Sequence, residues 1–126
     1  LKRTLMMTLL VALMLPDCTN SFAFLDRALI PTTDATTQGR QVFERICAQC
    51  HGANGEGDAN ALRAPSLNAS GEAWRHSQRR IRRIIENGGR VMPPLRDQLS
   101  EAEIEAVIAY LRTLWTSEQL ARHEAS

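Results

Sequence analysis

The sequence predicts an all-α fold, and three observations carry that prediction. Apolar residues recur at spacings of three and four in three separate stretches, and a capping signature stands at the head of the longest. No segment alternates apolar and polar residues as a half-buried strand does. At 126 residues the chain has room for one domain of ordinary size. Fifteen Lys and Arg against fourteen Asp and Glu leave a formal net charge of +1, which argues against a nucleic-acid binder acting through whole-molecule charge. Aromatic residues make up only 5% of the chain. Side chains alone therefore build a modest core, and a non-protein group is expected to complete it.

Taken in order, residues 1–23 read as an export signal. Lys2 and Arg3 precede the apolar run Leu5 to Leu15, which Pro16, Asp17, Thr19 and Asn20 interrupt before the small-residue pattern Ser21-Phe22-Ala23. A bilayer span takes about 20 apolar residues, roughly twice this run. An uncleaved N-terminal anchor is one alternative. Lipid attachment at Cys18 is another, although Asp17 immediately before it is unfavourable. Only these two alternatives would tie the protein to a membrane. Removal of 1–23 takes away Lys2, Arg3 and Asp17, leaving a neutral chain whose cysteines are Cys47 and Cys50. Two cysteines are too few for a multi-bridge disulfide scaffold.

Residues 24–35 form an irregular lead-in punctuated by Pro31, Thr32 and Thr33. A first helix is expected from Thr36 or Thr37 to Ala48, with Val42, Phe43, Ile46, Cys47 and Cys50 on one side. Gly39 within it costs about 1 kcal/mol relative to Ala, which points to close approach of another helix. Gly52 to Gly71 has loop composition. A second helix fits Ser77 to Glu86, where Ile81, Ile84 and Ile85 share a face and Trp74 lies one heptad before Ile81. Asn87-Gly88-Gly89 ends it.

The last helix opens with the capping box Ser100-Glu101-Ala102-Glu103, flanked by a Leu99–Ile104 staple. Ile104, Val107, Ile108, Leu111, Leu114 and Trp115 mark its apolar stripe. It is expected to end near Trp115 or Thr116, with Arg112 suited to the negative end of its dipole. The domain thus spans 36–116, and residues 117–126 read as a polar tail that frays beyond Leu120.

Chemistry concentrates in Cys47-Ala48-Gln49-Cys50-His51. Two thiols three positions apart, with His directly after, allow both sulfurs to bond to the two vinyl groups of one haem while His51 reaches the iron. A thioredoxin-like pair would need a βαβ context, and none is visible. A zinc site would need a second cysteine pair, and the other histidines, His76 and His123, lie in a basic stretch and a polar tail. Met92 lies 41 residues after His51, in a loop stiffened by Pro93 and Pro94, and is the only methionine beyond Met6, Met7 and Met14. A lone Met is ordinarily core filler. Given a haem, Met92 is the expected second axial ligand, and a soft thioether raises the reduction potential relative to a second His.

These residues resemble the class I cytochromes c in their short bacterial monohaem form. The resemblance covers about Asp34 to Trp115 and rests on CAQCHG at 47–52, Ala64-Pro65-Ser66-Leu67, the NGG and VMPP stretch at 87–94, and LSEAEIEAVIAYLRTLW at 99–115. It implies a small cytochrome c fold of three to four helices wrapped around one covalently attached haem c, with the N- and C-terminal helices crossing. Gly39 and Phe43 match the family's first-helix positions, and Val107 and Tyr110 match their partners on the last helix. Pro65 matches the loop proline whose carbonyl accepts a hydrogen bond from the proximal His ring, which would orient His51. Trp74, Arg75 or Arg79 matches the stretch that often bonds a haem propionate; Trp74 reads equally well as core beside Ile81 and Ile85.

The function so implied is one-electron carriage between periplasmic or membrane redox proteins, by an electron-transfer protein rather than an enzyme. Two rivals remain: a ligand-binding or peroxidatic haem protein with a displaceable sixth ligand, and a dedicated subunit of a dehydrogenase or oxidase. The basic stripe of Arg75, His76, Arg79, Arg80, Arg82 and Arg83 is either a solvated helix face or a docking patch for an acidic redox partner. Export takes the chain away from nucleic acid.

Overall fold

The computed structural model describes residues 33–58 and 63–125. Among them every regular element is helical. Helix α1 (Thr33–Val42) runs on through a π-helical turn (Phe43–Cys47) into the short α2 (Ala48–His51). A 3-10 turn (Ala73–Arg75) follows, then α3 (Gln78–Asn87), α4 (Glu101–Thr113) and α5 (Ser117–Glu124).

Helix α1 begins about a turn earlier than the apolar pattern indicates. Its first two turns are polar, and Asp34 in the first turn complements the helix dipole. The π turn is a second departure from the sequence reading. It widens the helix just before Cys47, in the manner of π-bulges found beside functional sites.

Helices α1 and α4 cross at close range, and Gly39 is the reason. A Cβ there would overlap the Ala106 carbonyl and come within 2.9 Å of the Tyr110 Cβ. One turn on, the fully buried Phe43 ring meets the Tyr110 ring at 5.3 Å between centroids, tilted by 56°. Phe43, Val42, Ile104, Val107 and Ile108 form the tightest part of the core, joined by Ile81 and Ile85 of α3. Arg82 bridges α3 to Glu105 on α4, and Gln78 Nε2 donates to the same carboxylate at 2.9 Å.

The capping box at Ser100 forms as expected. Glu103 N donates to Ser100 Oγ at 3.2 Å, and Ser100 N donates to Glu103 Oε2 at 3.0 Å. Leu99 and Ile104 are both buried beside it.

The stretch expected to fray instead forms α5. Thr116 and Gln119 make a second capping box, His123 stacks on Trp115 at 4.8 Å, and Glu124 pairs with Arg112. The amphipathic pattern does not reveal this helix because Leu120 is its one large apolar residue. The Thr116-x-x-Gln119 signature was nonetheless present to mark it. Among the described residues, no helix is long and apolar enough to cross a membrane. The expected signal at 1–23, with Cys18, lies outside the described residues.

Candidate functional site

The continuous helical rod delivers Cys47, Cys50 and His51 on consecutive turns. Both cysteines are free thiols and half-buried. Burial first, and the neighbouring Cys50 second, push the Cys47 thiol up to about 11. A thiol-exchange pair works with a lowered thiol instead, so the environment disfavours the oxidoreductase alternative. Among the described residues no three His, Cys, Asp or Glu side chains converge as a zinc site would require.

His51 is buried at 8% exposure. Its Nδ1 lies 2.8 Å from the Pro65 carbonyl oxygen, which can only accept, so Nδ1–H donates and the Nε2 lone pair is left for a metal. The loop holding Pro65 is laced to the loop after His51. Gly57 N donates to His51 O at 2.7 Å, Asp58 N to Ala64 O at 2.8 Å, and Leu67 N to Gly55 O at 2.7 Å.

Met92 reaches the core from the opposite end of the chain. Helix α3 stops at Gly88, whose φ of +78° suits glycine. A Cβ at Gly88 would come within 2.6 Å of the Met92 carbonyl. Gly89 N donates to Met92 O, and Leu95 N to Ile85 O, each at 2.9 Å, so the loop folds back tightly along the end of α3. Met92 is half-buried and packs against the core cluster, while its neighbour Val91 is 71% exposed.

Trp74 also packs against the core. Its indole Nε1–H donates to Gly71 O at 2.9 Å, and the Arg75 guanidinium lies over its ring at 4.9 Å. The donor a propionate would use is therefore engaged within the chain. In the basic stripe, Arg82 is occupied by Glu105 and Glu86, and Arg75 lies 3.6 Å from Glu72. Arg79, Arg80 and Arg83 are exposed. The contacts that sequence reasoning missed are those of Trp115 and Gln119, whose side chains donate to the Leu67 and Ala69 carbonyls. Trp115 reads from sequence only as core, because its partner is 48 residues away.

Two free thiols at the right spacing, a buried imidazole with Nε2 uncommitted and a half-buried thioether form a donor set that suits haem c. Known proteins agree. The family described as cytochrome C oxidase, cbb3-type, subunit III matches residues 34–111. A cytochrome c6-like protein of Nostoc sp. is 36% identical over 95 residues, covering 72% of this chain and 83% of that protein. The cbb3-type cytochrome c oxidase subunit FixP of Azorhizobium caulinodans is 35% identical over 85 residues, covering 65% of this chain and 28% of the relative's length. In structure, cytochrome c6C from Synechococcus sp. aligns with a TM-score of 0.50 and 29% identity, over 71% of this chain and 98% of that one. The chain belongs to this cytochrome family, as a class I c-type cytochrome with covalently bound haem c, and Cys47, Cys50 and His51 fit the family's CxxCH motif.

Proposed function

We propose that the chain is a periplasmic one-electron carrier with His51 and Met92 as axial ligands. The observation that carries this reading is the His51–Pro65 hydrogen bond, which commits Nδ1 and leaves Nε2 for iron. Bound haem c supplies the one-electron couple. Cys47 and Cys50 would hold it covalently, so that it could not dissociate. Pro65 fixes the imidazole plane and its tautomer. Met92, on the loop folded against α3, would supply a soft thioether donor that favours the reduced state. The crossing of α1 and α4 and the isoleucines of α3 exclude water from the interior.

The partners are other redox proteins. Arg79, Arg80 and Arg83 on the outer face of α3 are the residues proposed to meet an acidic one. A second reading, a haem module within an oxidase or bc1 assembly, is favoured by relatives named as subunits of such complexes. One is FixP; another is the cytochrome bc1 complex cytochrome c subunit of Mycobacterium tuberculosis, 36% identical over 75 residues, of which the chain spans 26%. Purification from native membranes at low and high salt separates the two, since a free shuttle does not elute as a stoichiometric complex.

Carbon monoxide binding tests the carrier reading. The reduced protein at neutral pH is expected to resist it, because Met92 occupies the sixth position. Rapid stoichiometric binding would overturn the carrier in favour of a ligand-binding or peroxidatic haem protein.

A further inference from the structure

The loop that carries Pro65 is gripped from two sides. On one side Leu67 N and Asn68 N donate to Gly55 O at 2.7 and 3.1 Å. On the other, Trp115 Nε1 donates to Leu67 O at 2.9 Å, and Gln119 Nε2 donates to Ala69 O at 3.0 Å. Both donors belong to the α5 end of the chain, and that end is itself anchored. Thr116 and Gln119 cap α5, His123 stacks on Trp115, and Glu124 pairs with Arg112 on α4. Leu67 lies only two residues beyond Pro65, so its position sets where the Pro65 carbonyl points.

We propose that Trp115 and Gln119 are positioning residues for His51: they fix the loop whose Pro65 carbonyl accepts the His51 Nδ1–H bond, and through it set the reduction potential. The inference rests on the reading of His51 as an iron ligand. A firm Nδ1–H···O bond makes the imidazole a more basic donor, which favours oxidised iron. Loosening the loop weakens that bond, so the potential rises. The helix after α4 is thus a brace on the ligand as well as a cover for the core.

Two substitutions on the haem-loaded protein separate bracing from general stability. Trp115→Phe keeps an aromatic ring against His123 but removes the indole donor. Gln119→Glu keeps the oxygen that accepts from Thr116 N and replaces the donor to Ala69 with an acceptor. Ile104→Val, a buried position on α4 that supplies no hydrogen bond to the loop through its side chain, serves as a destabilised control. Equilibration with a redox mediator and solvent exchange of the His51 Nδ1 proton, followed by nuclear magnetic resonance, are the readouts. Each brace variant is expected to shift the redox equilibrium roughly three- to tenfold toward the reduced form, about 30–60 mV at 59 mV per decade. Exchange at His51 is expected to quicken, low-spin visible bands to be retained, and the control to keep the wild-type potential.

An unchanged potential and exchange rate in both brace variants would overturn the proposal, leaving Gly55 as sufficient support for the loop. An equal shift in Ile104→Val would also overturn it, by assigning the effect to stability. High-spin bands in the unaltered protein would overturn the His51 and Met92 ligand set, and this inference with it.

Discussion

Met92 owes its place to backbone rather than to its own packing. The turn at Gly88, the Gly89 N–Met92 O bond and the Leu95 N–Ile85 O bond return the chain to the core within a few residues, with Pro93 and Pro94 stiffening the return. Met92→Ala therefore leaves that loop in place and removes only the thioether. Covalent haem is expected to remain by mass, while the potential falls by more than about 60 mV, a decade in equilibrium constant, and the reduced protein gains carbon monoxide binding. An unchanged potential would remove Met92 from the iron. Cys50 bears on attachment instead. Cys50→Ser is expected to lose one thioether bond and most of the haem yield, measured by absorbance after purification and by intact mass. A normal yield with unchanged covalent mass would contradict the attachment scheme. At this scale the site was readable wherever covalent chemistry imposes spacing, as in Cys47-Ala48-Gln49-Cys50-His51. Trp74 was ambiguous because a single indole serves core and ligand equally well, and its bond to Gly71 O depends on a turn the sequence does not announce.

Between elements, the crossing of α1 and α4 is the most exacting contact. Gly39→Ala places a methyl group against the Ala106 carbonyl, and about 2–3 kcal/mol of stability is expected to be lost, read by denaturant midpoint. A gain, as helix propensity alone would give, would show that the helices can separate at no cost. The head of α4 gives a pH-dependent case. The Glu103 carboxyl is held below its ordinary value of 4.5, first by the Ser100 backbone N–H, then by the Ser100 hydroxyl and Arg45. A carboxylate favoured in the folded state adds stability above its ordinary value and loses it as pH falls through the lowered one. Ser100→Ala is expected to cost about 1 kcal/mol near neutrality, and the difference should narrow as pH falls below the ordinary carboxylate value and Glu103 protonates. A difference that stays constant as pH falls would show that the Ser100 hydroxyl gives the Glu103 carboxylate no support. Helices α3 and α4 were legible because each buries a continuous apolar stripe. The π turn was not, since it reflects a backbone hydrogen-bond register. The early start of α1 was hidden by its polar first turns.

For the molecule as a whole, the proposed meeting with an acidic redox partner rests on charge placement. The near-zero net charge hides an exposed basic face at Arg79, Arg80 and Arg83, while Arg82 in the same helix is tied to Glu105. Arg79→Glu combined with Arg83→Glu is expected to slow electron exchange with an acidic redox protein about tenfold at low salt and hardly at all at high salt. Equal slowing at both salt concentrations would make the face a fold determinant instead. The overall fold was legible from three helical stripes and one motif. The clasp of α5 on the Leu67 loop was not, because it joins residues about fifty positions apart through backbone carbonyls that carry no side-chain signature.

We propose that one chain presents Cys47, Cys50, His51 and Met92 to a single haem. Visible absorption spectra of the protein, oxidised and reduced, produced in a host that matures c-type haems, test it most directly. Covalent haem, sharp low-spin bands on reduction, and the weak long-wavelength band of thioether ligation in the oxidised form are expected. High-spin bands would contradict the ligand set, and the absence of covalent haem would contradict the assignment of the CxxCH motif itself.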